Sequence, residues 1–262
     1  MEYHVKENNN PKTGLPWLSP RNDRIAFTMA EVLITLGVIG IVAAMTLPSL
    51  LTNIQNKGYV EALKKTYSVL QEATTSIVYE EGSPDTWRWT SNLDSDNSAN
   101  DYIVNSFRNH LKPYCSGNKA LYYGDQTFCN GIKIPDYIDL TGKETAKTLG
   151  STGAPIFVYS YPFVLKDGTI LGIRFSVTFN SVTWEAPDIT FLIDVNGVKG
   201  PNKLGRDLFI LYMKKDKGGK ILPYIDEIIR TGAQIDHRNT CDKDKAGYSC
   251  AYRVITEGKM NY

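Results

Sequence analysis

The sequence predicts an α+β chain in which a long N-terminal helix packs on an antiparallel β-sheet. Three observations predict it. Residues 32–56 form a run of 25 uncharged, mostly apolar residues. Beyond that run, apolar positions recur at spacings of three and four, the stripe of an amphipathic helix. The second half of the chain then gathers β-branched and aromatic runs separated by Asp-Gly and Asn-Gly turns, the signature of hairpins.

The helix comes first. Residues 27–47 number 21, and at about 1.5 Å per residue they make roughly 31 Å of helix, the thickness of a bilayer's hydrocarbon core. Pro48 lacks an amide proton and clashes with the preceding turn, so a kink is expected there. Val60, Leu63, Tyr67, Leu70, Thr74, Ile77 and Val78 continue the helix as an apolar stripe, interrupted on its other side by Lys57, Glu61, Lys64, Lys65 and Glu72. Glu80-Glu81-Gly82-Ser83-Pro84 stops it. A single carboxylate, Glu31, stands at the mouth of the apolar run. A charge in or near a membrane helix costs free energy, up to about 2.5–3.5 kcal/mol at bilayer centre, which makes Glu31 a candidate functional residue whose partner must be named. Complementing the dipole of its own helix is the simpler account, worth about 0.3–1 kcal/mol. An ordinary secretory signal is the competing reading of the run, with a cut after Val42-Ala43-Ala44. The polar leader of 26 residues, the glutamate and the helical pattern beyond that cut weigh against it.

The segment Phe27-Thr28-Met29-Ala30-Glu31, followed by an apolar run and Pro48, resembles the processing and methylation segment of type IV pilins and type II secretion pseudopilins. The resemblance covers about 25 residues. It implies a pilin-like fold, cleavage by a prepilin peptidase between Ala26 and Phe27, N-methylation of Phe27, and a kink at Pro48. The family usually has glycine where this chain has Ala26. It also implies a partner for Glu31: in a filament, the amine of one subunit's Phe27 meets the carboxylate of a neighbour, so that a subunit out of register leaves two charges unpaired in an apolar core. The expected organisation is a leader over 1–26, a helix over 27–82 (27–51 membrane-spanning and filament core, 52–82 amphipathic), a variable loop region over 83–150, and a sheet with a disulfide-stapled C-terminal region over 151–262. The function so implied is that of a structural subunit, minor pilin or pseudopilin, of a type II secretion or type IV pilus filament. Its partners would be other pilin subunits, the peptidase and the inner-membrane assembly platform. The alternative is an extracellular binding domain, secreted or held by an ordinary anchor.

Charge fits an exported subunit. The chain carries 29 Lys+Arg and 28 Asp+Glu; loss of residues 1–26 removes four basic and three acidic residues and leaves a formally neutral protein. That balance gives no whole-domain electrostatic footprint for nucleic acid. Cys115, Cys129, Cys241 and Cys250 lie in two local pairs with no zinc-ligand spacing. Two disulfides are the simplest reading, and pairing Cys115 with Cys129 and Cys241 with Cys250 closes the shortest loops. Disulfides need an oxidising compartment, which places everything after the span outside the cytoplasm; the resemblance implies that the span itself lies in a bacterial inner membrane.

In the 83–150 region, 91–100 reads as a solvated loop, and Asp94, Asp96 and Asp101 as an acidic face without the glycine of an EF-hand turn. Strands are expected at 156–161 and 163–165, then after Asp167-Gly168 at 169–179, at 189–195, and at 208–213. Short turns between them favour an antiparallel meander, with the amphipathic half of the helix covering one face. The loop 194–207 offers Asp194, Asn196, Asn202 and Asp207, hard oxygen ligands of the type calcium prefers; it is similar to a recurrent loop in pilin-like proteins, and the resemblance implies a candidate calcium site because major pseudopilins often hold calcium in a loop late in their sheet. Turn chemistry explains most of the same residues: Asn196-Gly197 and Gly200-Pro201 as turns, Asp207 as a cap or a partner of Arg206 or Lys199. Turn chemistry is preferred, and no other cofactor is expected. Residues 214–220 read as a solvated turn and 251–256 as a short closing strand. No enzyme motif is present: there is neither HExxH nor GxSxG, and only His110 and His237 lie beyond the leader. A non-enzymatic protein is expected.

Overall fold

The computed structural model describes residues 28–87, 98–117, 119–121, 127–143, 156–157, 160–175, 189–223 and 241–262. Ala26 and Phe27, Asp94 and Asp96, and His237 lie outside them. Contacts divide the chain into two units, Met1–Ser49 and Leu50–Tyr262. In the first, the described residues are the apolar part of helix α1, whose large side chains are exposed all round, among them Leu33, Ile34, Val38, Ile39, Ile41 and Met45. Helix α1 as a whole is Met29–Glu81 and carries Pro48 inside it. The second unit holds the rest of α1, helices α2 (Ser98–Leu111) and α3 (Cys250–Glu257), and a sheet.

The sheet has six antiparallel strands in the order β1-β4-β5-β6-β7-β8: β1 Cys115–Ser116, β4 Tyr161–Val164, β5 Ile170–Phe175, β6 Ile189–Asp194, β7 Leu208–Met213 and β8 Ile221–Pro223. A separate hairpin pairs β2 (Thr127–Phe128) with β3 (Ile132–Lys133). The expected meander is there, with β5, β6 and β7 paired over six residues each. Alternation along the strands sorts their side chains to two faces. Leu171, Ile173, Phe191, Ile193, Phe209 and Leu211 share a core with Val60, Leu63, Leu70, Ala73 and Ile77 of α1. That is the predicted stripe, with Tyr67 and Val78 at its margin. Ile170, Leu192 and Ile210 point the other way, under Phe128, Ile134, Tyr137, Ile156 and Phe157. The sheet is thus covered on both faces, where one covered face was expected.

Three differences from the sequence reading have physical reasons. Within 83–150 lies α2, which buries Ile103, Val104, Phe107 and Leu111, a spacing of one, three and four that keeps one side of a helix on the core. Phe107 meets Phe191 edge to face at 5.6 Å. Residues 251–256 are helix and not strand, because Cys250, Ala251 and Val254 are buried while Tyr252 is exposed, a helical period. Gly258 at φ 69° ends α3 in the left-handed conformation that favours glycine. Ile156 and Phe157 form a turn that turns both side chains into the second core, and the strand begins at Tyr161.

Candidate functional site

Two places concentrate unusual chemistry. The first is the head of α1. The Glu31 carboxylate accepts the backbone N–H of Thr28 at 2.9 Å and its hydroxyl at 3.0 Å, while the backbone N–H of Glu31 donates to Thr28 Oγ1 at 3.2 Å. This is a reciprocal capping box, in which the fourth residue of Thr-x-x-Glu satisfies N–H groups that the helix cannot. The capping signature is present in the sequence as Thr28-Met-Ala-Glu31 ahead of an apolar run. Glu31 is therefore satisfied within its own helix, and the apolar surface that follows it is bare.

The second is the loop after β6. Asp194 and Asp207 are both fully buried. Asp194 Oδ1 accepts the N–H of Asn196 at 3.1 Å and Oδ2 accepts the Tyr137 hydroxyl at 2.6 Å. Asp207 takes the N–H groups of Asn202 at 2.8 Å and Lys203 at 2.6 Å. Asn196 Nδ2 donates to the Gly200 carbonyl at 3.0 Å and the Tyr59 hydroxyl at 3.3 Å. The four residues named from sequence therefore belong to one network, tied to α1 through Tyr59 and to the second core through Tyr137. Neither tyrosine was foreseeable, since their bonds span 137 and 57 positions of chain.

Burial pushes the Asp194 carboxyl up to about 8, with Asp207 adding to the rise and the Tyr137 hydroxyl opposing it. Burial also raises Asp207, against its backbone amide donors. Turn chemistry accounts for three of the four carboxylate oxygens, the Tyr137 hydroxyl for the fourth, and turn chemistry also accounts for the left-handed Gly197 and Asn202. Asp207 caps the turn, and no ion pair with Arg206 or Lys199 forms among the described residues. The side-chain oxygens of Asn196 and Asn202 are buried with no hydrogen-bond partner, and together with two carboxylates that each keep unused lone pairs they form a donor set suited to calcium. Asp194, Asn196, Asn202 and Asp207 are the residues that would hold the ion, and its charge would stabilise both carboxylates in ionised form. Among the described residues, no three His, Cys, Asp or Glu side chains gather as a metal site.

Both expected disulfides form. Cys115–Cys129 ties β1 to the β2–β3 turn with Cα atoms 5.9 Å apart, and Cys241–Cys250 pins the start of α3 at 4.8 Å, both inside the usual range. His110, on α2, turns one ring nitrogen to the Ser106 carbonyl at 2.8 Å and the other to Glu80 at 3.3 Å. It borders an open groove between α1 and α2 lined by Val69, Glu72, Ser76 and Lys112. No family model, curated protein or solved structure matches the chain.

Proposed function

We propose that this chain is a pilin-like structural subunit, of the minor pilin or pseudopilin kind, in a type II secretion or type IV pilus filament. A prepilin peptidase cuts after Ala26, Phe27 is methylated, and α1 is held in the inner membrane, its C-terminal domain outside, until an assembly platform draws the subunit into the filament. The observation that carries this reading is one helix that is apolar and bare over 32–54, bears a lone carboxylate at its head, and packs its later turns on an antiparallel sheet. A bare apolar helix finds cover either in lipid or among the helices of other subunits, and Glu31 offers a charge to a neighbour's Phe27 amine. The disulfides support placement of the domain outside the cytoplasm.

The capping box favours a second reading, a membrane-anchored extracellular binding domain, because it satisfies Glu31 with no neighbour at all. Glu31→Gln separates the two. Capping boxes accept glutamine as well as glutamate, so this variant keeps the cap and loses only the charge, whereas Glu31→Val loses both. Cross-linking to filament partners, with membrane fractionation as control, is the assay. Both variants are expected to insert normally and to fail in assembly, since an amine left unpaired in an apolar core costs about 3–5 kcal/mol. Incorporation of Glu31→Gln at the wild-type level would leave the anchor reading standing.

A further inference from the structure

The last turns of α1 and α2 meet. Helix α1 ends on Glu80 and Glu81 with no basic residue in its last turn. The C-terminal end of a helix carries about half a negative charge, so two carboxylates there oppose the dipole and favour a cation beside them. The last turn of α2 lies against this end and adds its own negative pole. Its His110 faces Glu80, Nε2 to Oε1, at 3.3 Å, and the hydroxyl of Ser106, one turn earlier, is 3.3 Å from the Glu81 carboxylate. The groove that opens beside them is lined by one further acid, Glu72, and by Lys112.

The His110 ring is held in one tautomer. Its Nδ1 lies 2.8 Å from the Ser106 carbonyl, which can only accept, so Nδ1 carries a proton. Nε2 of the neutral ring then presents a lone pair to a carboxylate that also has only lone pairs to offer. A positive charge belongs between them, either a proton or a metal ion, and the distance distinguishes the two. A charge-assisted N–H···O bond brings its heavy atoms to about 2.7–2.9 Å. Zinc, at its usual bond lengths of about 2.0–2.1 Å to nitrogen and 2.0–2.2 Å to oxygen, sets two tetrahedral ligands about 3.3–3.5 Å apart. The pair already stands at that bite, with the ring oriented by a backbone carbonyl as metal-bound histidines are. The Glu80 side chain is 57 % exposed, so water reaches the remaining positions.

From this geometry we propose that His110 Nε2 and Glu80 Oε1 bind a divalent ion of the zinc class, with water in its remaining positions, and that the ion clasps the end of α1 to the end of α2. Imidazole beside carboxylate suits zinc, whereas calcium takes oxygen ligands alone. The site shares no residue with the oxygen donors after β6. Lys112 opposes the ion, and the carboxylates of Glu72, Glu80 and Glu81 outweigh it. The chain supplies two ligands, so the site is an open one that exchanges its ion readily. The ion needs neither a membrane nor a neighbouring subunit.

All four cysteines are paired, so no thiol competes for the ion. Zinc is titrated calorimetrically into the detergent-solubilised full chain, with calcium present throughout to occupy oxygen-only sites. One zinc ion per chain is expected at this site. Loss of even an outer partner of a metal ligand costs about 10–100-fold in affinity, so His110→Gln and Glu80→Gln should each weaken binding by at least about tenfold. His4→Gln, His237→Gln and Asp207→Asn should bind as wild type does. Nitrogen NMR of the histidine rings reads the contact in wild type without any substitution: zinc should move the Nε2 resonance of His110 and leave its Nδ1 protonated. No saturable binding, wild-type affinity in either His110→Gln or Glu80→Gln, or a zinc-shifted His237 beside an unmoved His110 would each overturn the proposal.

Discussion

Replacing Asp194 by asparagine should change how the stability of the domain depends on pH. The carboxyl is fully buried and raised from 3.8 to about 8. A carboxyl whose folded value lies above its unfolded one keeps its proton longer in the fold, so unfolding releases that proton and stability falls as pH rises from about 4 to about 8. At about 1.4 kcal/mol per pKa unit the interval sets an upper bound of roughly 6 kcal/mol, shared with Asp207, which is raised in the same direction. Asp167, lowered by its bonds to Lys65 and Thr169 against the opposing effect of burial, acts in the opposite sense and only below about pH 4. In Asp194→Asn the amide oxygen still accepts the Asn196 N–H, and its NH2 group faces the Tyr137 hydroxyl, which turns to accept. The assay is thermal unfolding of the detergent-solubilised chain at pH 5 and pH 8.5, in chelator and with added calcium. Wild type in chelator should lose several kcal/mol between the two, and the variant should lose much less. Calcium should restore wild type at pH 8.5, where the ionised carboxylates and the free oxygens of Asn196 and Asn202 gain a partner, and should do nothing for the variant. Stability that rises with pH, or a slope unchanged in Asp194→Asn, would refute the account of this loop.

Two further predictions concern packing and redox state. Gly172→Ala should destabilise the domain by about 1–3 kcal/mol, because its Cβ would stand 2.7 Å from Phe157 and 2.8 Å from the Ser160 hydroxyl; a melting temperature equal to wild type would contradict the fit of the second core. Under limiting reductant, Cys115–Cys129, half-exposed, should open before Cys241–Cys250, whose sulfur-bearing residues are 1 % and 0 % exposed. Differential alkylation with peptide mapping reads the order, and the reverse order would contradict it.

What the sequence makes legible is whatever is periodic or local. The α1 stripe from Val60 to Ile77 is legible because each buried residue recurs at helical spacing. The Asp167-Gly168 and Asn196-Gly197 turns are legible because glycine supplies the positive φ they need, 89° and 68°. Both disulfides join neighbours in sequence. The second core over the sheet was not legible, because the residues that cover it, Leu121, Phe128, Ile134, Tyr137, Ile156 and Phe157, follow no period and, among the described residues, stand on two-residue strands, turns and irregular chain. Helix α3 was misread as strand because a window of six residues with β-branched Val254, Ile255 and Thr256 carries too little period to outweigh propensity. At the loop after β6, sequence supplied the four oxygen-bearing residues, and only the fold could supply Tyr59 and Tyr137.

The central claim is that this chain enters a filament by the prepilin route, and the mass of its first residue tests that most directly. Protein recovered from a host with a prepilin peptidase should begin at Phe27 and carry one N-methyl group, and a bulky residue in place of Ala26 should leave the leader attached. An N-terminus at Met45, or a chain that keeps residues 1–26 beside an active peptidase, would contradict it.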